Sequence, residues 1–87
     1  MESQKITIKN PSGLHARPAS ILAQAAGKCS SNVIIVYGEK RIQVKSILNI
    51  MAAAIKCGTE VELQCTGETD EEDLKTLVTL IESGLGE

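Results

Sequence analysis

The sequence has 87 residues, 43% of them apolar, and a formal net charge of −2. This length predicts one compact domain over residues 1–87, with no room for a separate substrate domain. With Tyr37 as the single aromatic residue and no basic excess, the broad positive surface and base-stacking platform of nucleic-acid-binding proteins are excluded. No run approaches the roughly 18 apolar residues of a membrane span, and no targeting segment is evident, so we expect a soluble cytoplasmic protein that does not insert into the membrane.

The three cysteines, Cys29, Cys57 and Cys65, are odd in number and widely spaced, without a C-x-x-C arrangement. This spacing favours neither a disulfide framework nor a metal site. We expect all three to serve as small buried hydrophobes. Cys65 fits this interpretation best, because it continues the alternating series Val61, Leu63, Cys65.

Four segments have the composition of β-strands. Residues 5–9 alternate polar and apolar side chains, and residues 60–66 do the same. Residues 33–37 are β-branched and aromatic, and residues 41–44 alternate again. Gly38 and Glu39 between these two segments predict a tight hairpin turn.

Two helices are predicted in the first two thirds of the chain. The first begins near Ala16, where apolar residues recur at helical spacing, and ends at Gly27. The second follows Ser46 as N-cap and runs from residue 47 to about residue 56, closed by Gly58 at the C′ position.

A third helix is predicted near the end of the sequence. Asp70 can cap it, or Thr69 together with Glu72 three residues later. Acidic residues in the first turn suit the positive end of the helix dipole. Its apolar stripe consists of Leu74, Leu77, Val78 and Ile81.

The predicted element order is therefore β-α-β-β-α-β-α. Because the strands are polar on one face, helices are expected to cover only the other face. The fold class is an α/β open-faced sandwich of the α+β type, in which three helices pack on one face of a four-stranded antiparallel sheet.

The chemically informative segment surrounds His15, the only histidine. It lies immediately before the first helix, with Arg17 two residues later. The N–H groups of Ala16 and Arg17 at a helix start have no internal partner and attract a phosphate. Neutral imidazole is a good nucleophile near pH 7, and a guanidinium can bind phosphate oxygens. A lone histidine is more often a surface or structural residue, but this combination favours phosphoryl carriage.

The segment Gly-Leu-His-Ala-Arg-Pro-Ala over residues 13–19 closely resembles the active-site signature of the HPr family, the histidine-containing phosphocarriers of the sugar phosphotransferase system. A second motif, Lys-Ser-Ile-Leu over residues 45–48, resembles the regulatory-serine segment of the family. The resemblance covers essentially the whole chain. It implies an open-faced sandwich with sheet order 1-4-2-3.

The resemblance also implies a mechanism. Enzyme I, charged from phosphoenolpyruvate, would phosphorylate His15 on Nδ1, and enzyme IIA domains would receive the group, with Arg17 stabilising the phosphate. The chain would be a protein substrate of phosphotransferases rather than an enzyme. We expect a monomer without cofactor or metal.

The second helix is apolar nearly all round, so part of it should be exposed on a one-sided sandwich. By resemblance, Ile47, Leu48 and Met51 match the apolar patch that docks partners beside the histidine. Ser20 and Gln24, on the polar side of the first helix, are expected to rim this patch.

Ser46 has two compatible interpretations. It is a favourable N-cap, and it matches the serine that a dedicated HPr kinase/phosphorylase modifies in many family members, creating a co-repressor of a catabolite-control transcription factor. An alternative function is therefore a regulatory module switched at Ser46. Another is a carrier in a nitrogen-related phosphotransfer chain.

The sequence departs from the commonest family pattern at a few positions. Leu48 replaces a frequent methionine, Asn49 a frequent glycine, and Cys29 stands near a common aromatic position. For residues 84–87 the sequence indicates no chemistry.

Overall fold

The computed structural model describes residues Met1–Glu87 and has the predicted element order. Its bounds are β1 Glu2–Thr7, α1 Ala16–Gly27, β2 Asn32–Tyr37, β3 Lys40–Gln43, α2 Ile47–Ala53, β4 Glu60–Thr66 and α3 Asp70–Glu82.

The four strands form one sheet in the order β1-β4-β2-β3, and all neighbouring strands are antiparallel. Ile35 of β2 lies opposite Ile42 of β3 and Leu63 of β4, while Ile6 of β1 pairs with Val61. Apolar residues therefore stand side by side on one face of the sheet. The expected sheet order and antiparallel pairing are confirmed.

The core lies between this face and the three helices, where 22 buried apolar residues form one cluster. Helix α3 packs on β1 and β4, α2 packs on β3, and α1 contacts both other helices. The opposite face of the sheet carries polar side chains such as Lys5, Glu62 and Arg41, as predicted for an open-faced sandwich. None of the helices combines the length and apolar character needed to cross a membrane.

The bounds of β1, β2 and β3 differ from prediction. Strand β1 begins at Glu2 and ends at Thr7, because its register with β4 extends back to the pair Glu2–Cys65. Ile8 remains buried and exchanges backbone hydrogen bonds with Gly58 and Thr59 just outside the strand. Strand β2 begins at Asn32 rather than at residue 33, and β3 spans Lys40–Gln43 rather than residues 41–44.

The predicted end of the second helix is wrong. Helix α2 ends at Ala53, and Ala54 takes the left-handed conformation (φ 53°), its N–H donating to the Met51 carbonyl. Gly58 (φ +90°) instead serves the turn before β4. The early end has a tertiary cause, since the Ile55 side chain is buried in the core and its carbonyl accepts a hydrogen bond from Leu14 N–H at 2.9 Å.

The predicted capping of the last helix is only partly confirmed. Thr69 occupies the N-cap, but neither it nor Glu72 forms a capping box. The Thr69 hydroxyl donates instead to Asp73 Oδ2 at 2.9 Å, and the same oxygen accepts from the N–H (3.2 Å) and hydroxyl (2.5 Å) of Ser31. Asp73 thus ties the start of α3 to the connection between α1 and β2.

Candidate functional site

His15 occupies the N-cap of α1 in an extended conformation (φ −86°, ψ −170°). Its carbonyl accepts the Ala19 N–H at 2.8 Å, which starts the helix at Ala16 as predicted. The imidazole makes no capping hydrogen bond and belongs to an exposed residue. Both ring nitrogens are therefore free to react with an incoming group.

The loop before His15 is held against the segment that follows α2. Gly13 has a φ of +67°, and a Cβ there would lie 2.5 Å from the Ile55 carbonyl oxygen. Leu14 is buried, and its N–H donates to that same oxygen. A glycine is thus required both for the backbone conformation and for the close approach.

The start of α1 presents unpaired donors beside the imidazole. The Ala16 and Arg17 N–H groups belong to the first turn, where no carbonyl precedes them at helical spacing. Pro18, the third residue of the helix, is buried and has no N–H to leave unsatisfied. Arg17 is exposed and forms no ion pair within 4.0 Å. This arrangement can receive an anion attached to His15.

A surface depression of about 280 Å³ adjoins the imidazole. His15 lines it together with Ser12 of the preceding loop, Met51 of α2, and Ile55 and Lys56 beyond that helix. The fold therefore brings His15 next to α2, which follows it in the chain by about thirty residues.

Helix α2 exposes three large apolar side chains, Ile47 (37%), Leu48 (79%) and Met51 (38%). We call these three residues the apolar patch. Ile50 and Ile55 point into the core instead. The patch thus matches the surface expected to be exposed on this helix.

Ser20 and Gln24 lie one turn apart on α1, and the Gln24 side-chain amide donates to the Ser20 hydroxyl at 3.3 Å. Ser20 is half-buried and Gln24 is exposed. Because α1 contacts α2, these polar residues lie on the helix that packs beside the apolar patch.

Ser46 is the N-cap of α2, as predicted. Its Oγ accepts the Asn49 N–H at 3.2 Å and its carbonyl accepts the Ile50 N–H at 3.1 Å. The residue is half-buried and directly precedes Ile47 of the apolar patch. A charge added at this hydroxyl would therefore adjoin the patch.

Glu87, whose side chain lies near the site, was not identified from the sequence. The Glu87 carboxylate accepts hydrogen bonds from Ser12 and Asn10, in the loop that leads to His15. The available signal was Leu85, four residues after Ile81, which continues the apolar stripe of α3 and predicts that Leu85 is buried and the end of the chain held against the core.

The cysteines follow the expectation only in part. Cys65 is buried, Cys29 is half-buried and Cys57 is exposed, so the burial predicted for Cys57 is wrong. Burial raises the pKa of the Cys65 thiol to about 11 and, with the nearby Asp73 carboxylate, raises that of Cys29. Neither thiol is activated as a nucleophile.

Comparison with known proteins agrees with this geometry. The family model described as "PTS HPr component phosphorylation site" matches residues 2–83. The phosphocarrier protein HPr of Mycoplasma capricolum is 47% identical over 74 residues, covering 84% of this chain and 83% of that protein. The HPr-like protein Crh of Bacillus subtilis is 35% identical over 82 residues, with coverage of 94% and 96%.

Solved structures show the same fold. A crystal structure of HPr from Thermoanaerobacter tengcongensis superposes with a TM-score of 0.95 at 44% identity, covering 100% of this chain and 98% of that one. An HPr dimer from the same organism gives a TM-score of 0.79 at 44% identity, with both chains fully covered. With its exposed histidine at the start of α1, this chain belongs to the HPr family of phosphocarrier proteins of the phosphotransferase system.

Proposed function

We propose that His15 accepts a phosphoryl group on Nδ1 from enzyme I, charged by phosphoenolpyruvate, and passes it to enzyme IIA domains for sugar uptake. The observation that carries this proposal is the exposed, unbonded imidazole at the N-cap of α1. Family membership supports the same chemistry.

In the first transfer, the Nδ1 lone pair attacks phosphorus, and the N–P bond forms as the bond to the donor's leaving atom breaks and that atom keeps the electron pair. The second transfer repeats this exchange in the opposite sense, with Nδ1 as the leaving atom. Arg17 and the N–H groups of Ala16 and Arg17 stabilise the charge of the phosphoryl oxygens throughout.

The partners supply the remaining groups. Enzyme I and the enzyme IIA domains dock on the apolar patch, with Ser20 and Gln24 at its rim. Exposed apolar side chains surrounded by polar residues are typical of such interaction sites. The chain acts as a monomeric unit of residues 1–87 in the cytoplasm, as a protein substrate that needs no cofactor of its own.

The test is to incubate the chain with enzyme I, magnesium and labelled phosphoenolpyruvate, with His15→Ala as the matched variant. Label should appear only on the parent chain and should be lost in acid but kept in alkali, as expected for phosphohistidine. Adding an enzyme IIA domain should then discharge it. The absence of label with an enzyme I that is active on another HPr would refute the proposal.

Running the same assay with the enzyme I of a nitrogen-related phosphotransfer chain tests the alternative pathway. Faster labelling by that enzyme would assign the carrier to nitrogen regulation instead of sugar uptake. Size-exclusion chromatography at the assay concentration measures the oligomeric state of the chain. We expect a monomer, although a dimer is known for the HPr of T. tengcongensis.

A second candidate function is regulation at Ser46. It is favoured by the position of the Ser46 hydroxyl directly before Ile47 of the apolar patch and by the similarity to Crh, described as a catabolite repression HPr. A HPr kinase/phosphorylase would phosphorylate Ser46, and a catabolite-control transcription factor would bind the product. Incubation with the kinase and ATP should label the parent and not Ser46→Ala.

A further inference from the structure

Residues 84–86 form a hook after α3. Gly84, Leu85 and Gly86 all have positive φ values, of 95°, 51° and 83°. Leu85 is fully buried in the core, and the Glu87 N–H donates back to the Gly84 carbonyl at 3.0 Å. Packing of Leu85 therefore determines where Glu87 lies, even though Glu87 itself is exposed.

In this position the Glu87 carboxylate accepts hydrogen bonds from residues of the loop before His15. Oε1 accepts from the Ser12 N–H (3.1 Å), the Ser12 hydroxyl (2.8 Å) and Asn10 Nδ2 (3.1 Å), while Oε2 accepts from the Ser12 hydroxyl (2.7 Å). These bonds connect positions 75 and 77 residues apart in the chain. We call this set of contacts the loop clamp.

Asn10 continues the clamp inside the loop. It is 1% exposed, and its Nδ2 donates to the Gly13 carbonyl as well as to Glu87. Because both neighbours are acceptors, the amide must direct its NH₂ group towards them. The backbone carbonyl of Asn10 in turn accepts the Gly13 N–H at 3.0 Å, which completes the turn.

The loop clamp lies next to His15 but does not include it. Ser12 lies three residues before His15, and both line the same depression. The hydrogen bonds from Ser12 hold the pKa of Glu87 below its ordinary value, and the Arg17 charge acts in the same direction. Glu87 is therefore an anion at neutral pH, when phosphoryl transfer would take place.

We propose that Glu87 is a positioning residue for phosphoryl transfer: its carboxylate holds residues 10–13 in one conformation and thereby keeps His15 aligned with a docked partner. The inference rests on the proposed carrier function of His15. Alignment of a nucleophile is costly to lose, because a displacement of about 1 Å can slow a reaction substantially. Since Leu85 anchors the hook by itself, removing the carboxylate should free the loop while the core stays intact.

The experiment compares the full chain with Glu87→Ala, Glu87→Gln and Glu82→Ala, the last being an exposed glutamate of α3 without a hydrogen-bond partner. In Glu87→Ala we expect amide hydrogen exchange at Ser12 to rise about tenfold, with Leu63 in β4 unchanged. We expect the kcat/KM of enzyme I, measured with the variant chain as its protein substrate, to fall about three- to tenfold, mainly through kcat. Glu87→Gln should restore much of both, because its amide oxygen accepts the same bonds, and Glu82→Ala should behave as the parent.

Two results would overturn the inference while the carrier function stands. If exchange at Ser12 is unchanged in Glu87→Ala, the clamp does not hold the loop. If exchange rises but kcat stays at the parent value, Glu87 is purely structural. A parent chain that takes no label from an active enzyme I would instead refute the carrier function itself, and the positioning role with it.

Discussion

Gly13 approaches the Ile55 carbonyl so closely that a Cβ on residue 13 would lie 2.5 Å from that oxygen. The contact joins the loop before His15 to the segment after α2, the helix that carries the apolar patch. One backbone oxygen, that of Ile55, also accepts the Leu14 N–H. The relative position of His15 and α2 thus depends on a backbone contact that leaves no room for a side chain at residue 13.

We predict that Gly13→Ala lowers the free energy of unfolding by at least about 2 kcal/mol, because it adds a clash to the strain of a positive φ. Gly38→Ala is the matched control, since Gly38 has a φ of +61° but nothing within 4 Å, and should cost only about 1 kcal/mol. Urea unfolding measures both. Equal losses in the two variants would show that the contact with Ile55 has no energetic effect.

Leu48→Ala should weaken docking without weakening the fold. Leu48 is 79% exposed, so its truncation should change stability by no more than about 0.5 kcal/mol. If partners bury the Leu48 side chain, the KM of enzyme I for this chain should rise about fivefold, which is equivalent to about 1 kcal/mol. Ile50→Ala, in the same helix but fully buried, should instead cost about 3 kcal/mol of stability. An unchanged KM in Leu48→Ala would place docking elsewhere.

The variants Ser46→Ala and Ser46→Asp distinguish the role of Ser46 as an N-cap from the effect of a negative charge at this position. Alanine removes the acceptor for the Asn49 N–H and should cost about 1 kcal/mol, whereas aspartate is an equally good N-cap and should preserve stability. Labelling by enzyme I should then be slower only in Ser46→Asp, because a negative charge beside the apolar patch repels acidic partners. Equal labelling rates for both variants would argue against electrostatic regulation.

The stability of the chain should depend on Asp73 at acidic pH. Hydrogen bonds from Ser31 hold the pKa of Asp73 below its ordinary value, with Thr69 contributing further. A lowered pKa stabilises the fold above the pKa of the unfolded chain, about 3.9, and this stabilisation is lost as the pH falls through the folded pKa.

The free energy of unfolding of the parent should therefore exceed that of Asp73→Asn by about 1 kcal/mol at pH 7. This difference should vanish near pH 2. Urea unfolding between pH 2 and 7 measures this, with Glu72→Gln, an exposed residue of the same helix, as control. A difference that persists at pH 2 would assign the effect to packing rather than to charge.

The local features of this protein could be predicted from its sequence. Alternation, β-branched composition and helical periodicity identified the strands and two of the helices, including the start of α1 at Ala16, while capping chemistry placed the start of α2 after Ser46. These features depend on neighbours within a few residues, which the sequence displays directly. The juxtaposition of His15, the helix start and Arg17 could likewise be predicted, because all three are adjacent in the chain.

The tertiary structure decided what depends on distant neighbours. Helix α2 stops at Ala53 because Ile55 enters the core and its carbonyl accepts the Leu14 N–H, and the Asp73 carboxylate has a further donor in Ser31, 42 residues away. Glu87 reaches Ser12 only because Leu85 is buried. Hydrogen-bond partners separated by 40 or more residues leave no periodic trace in a sequence, since only the packing of the core brings them together.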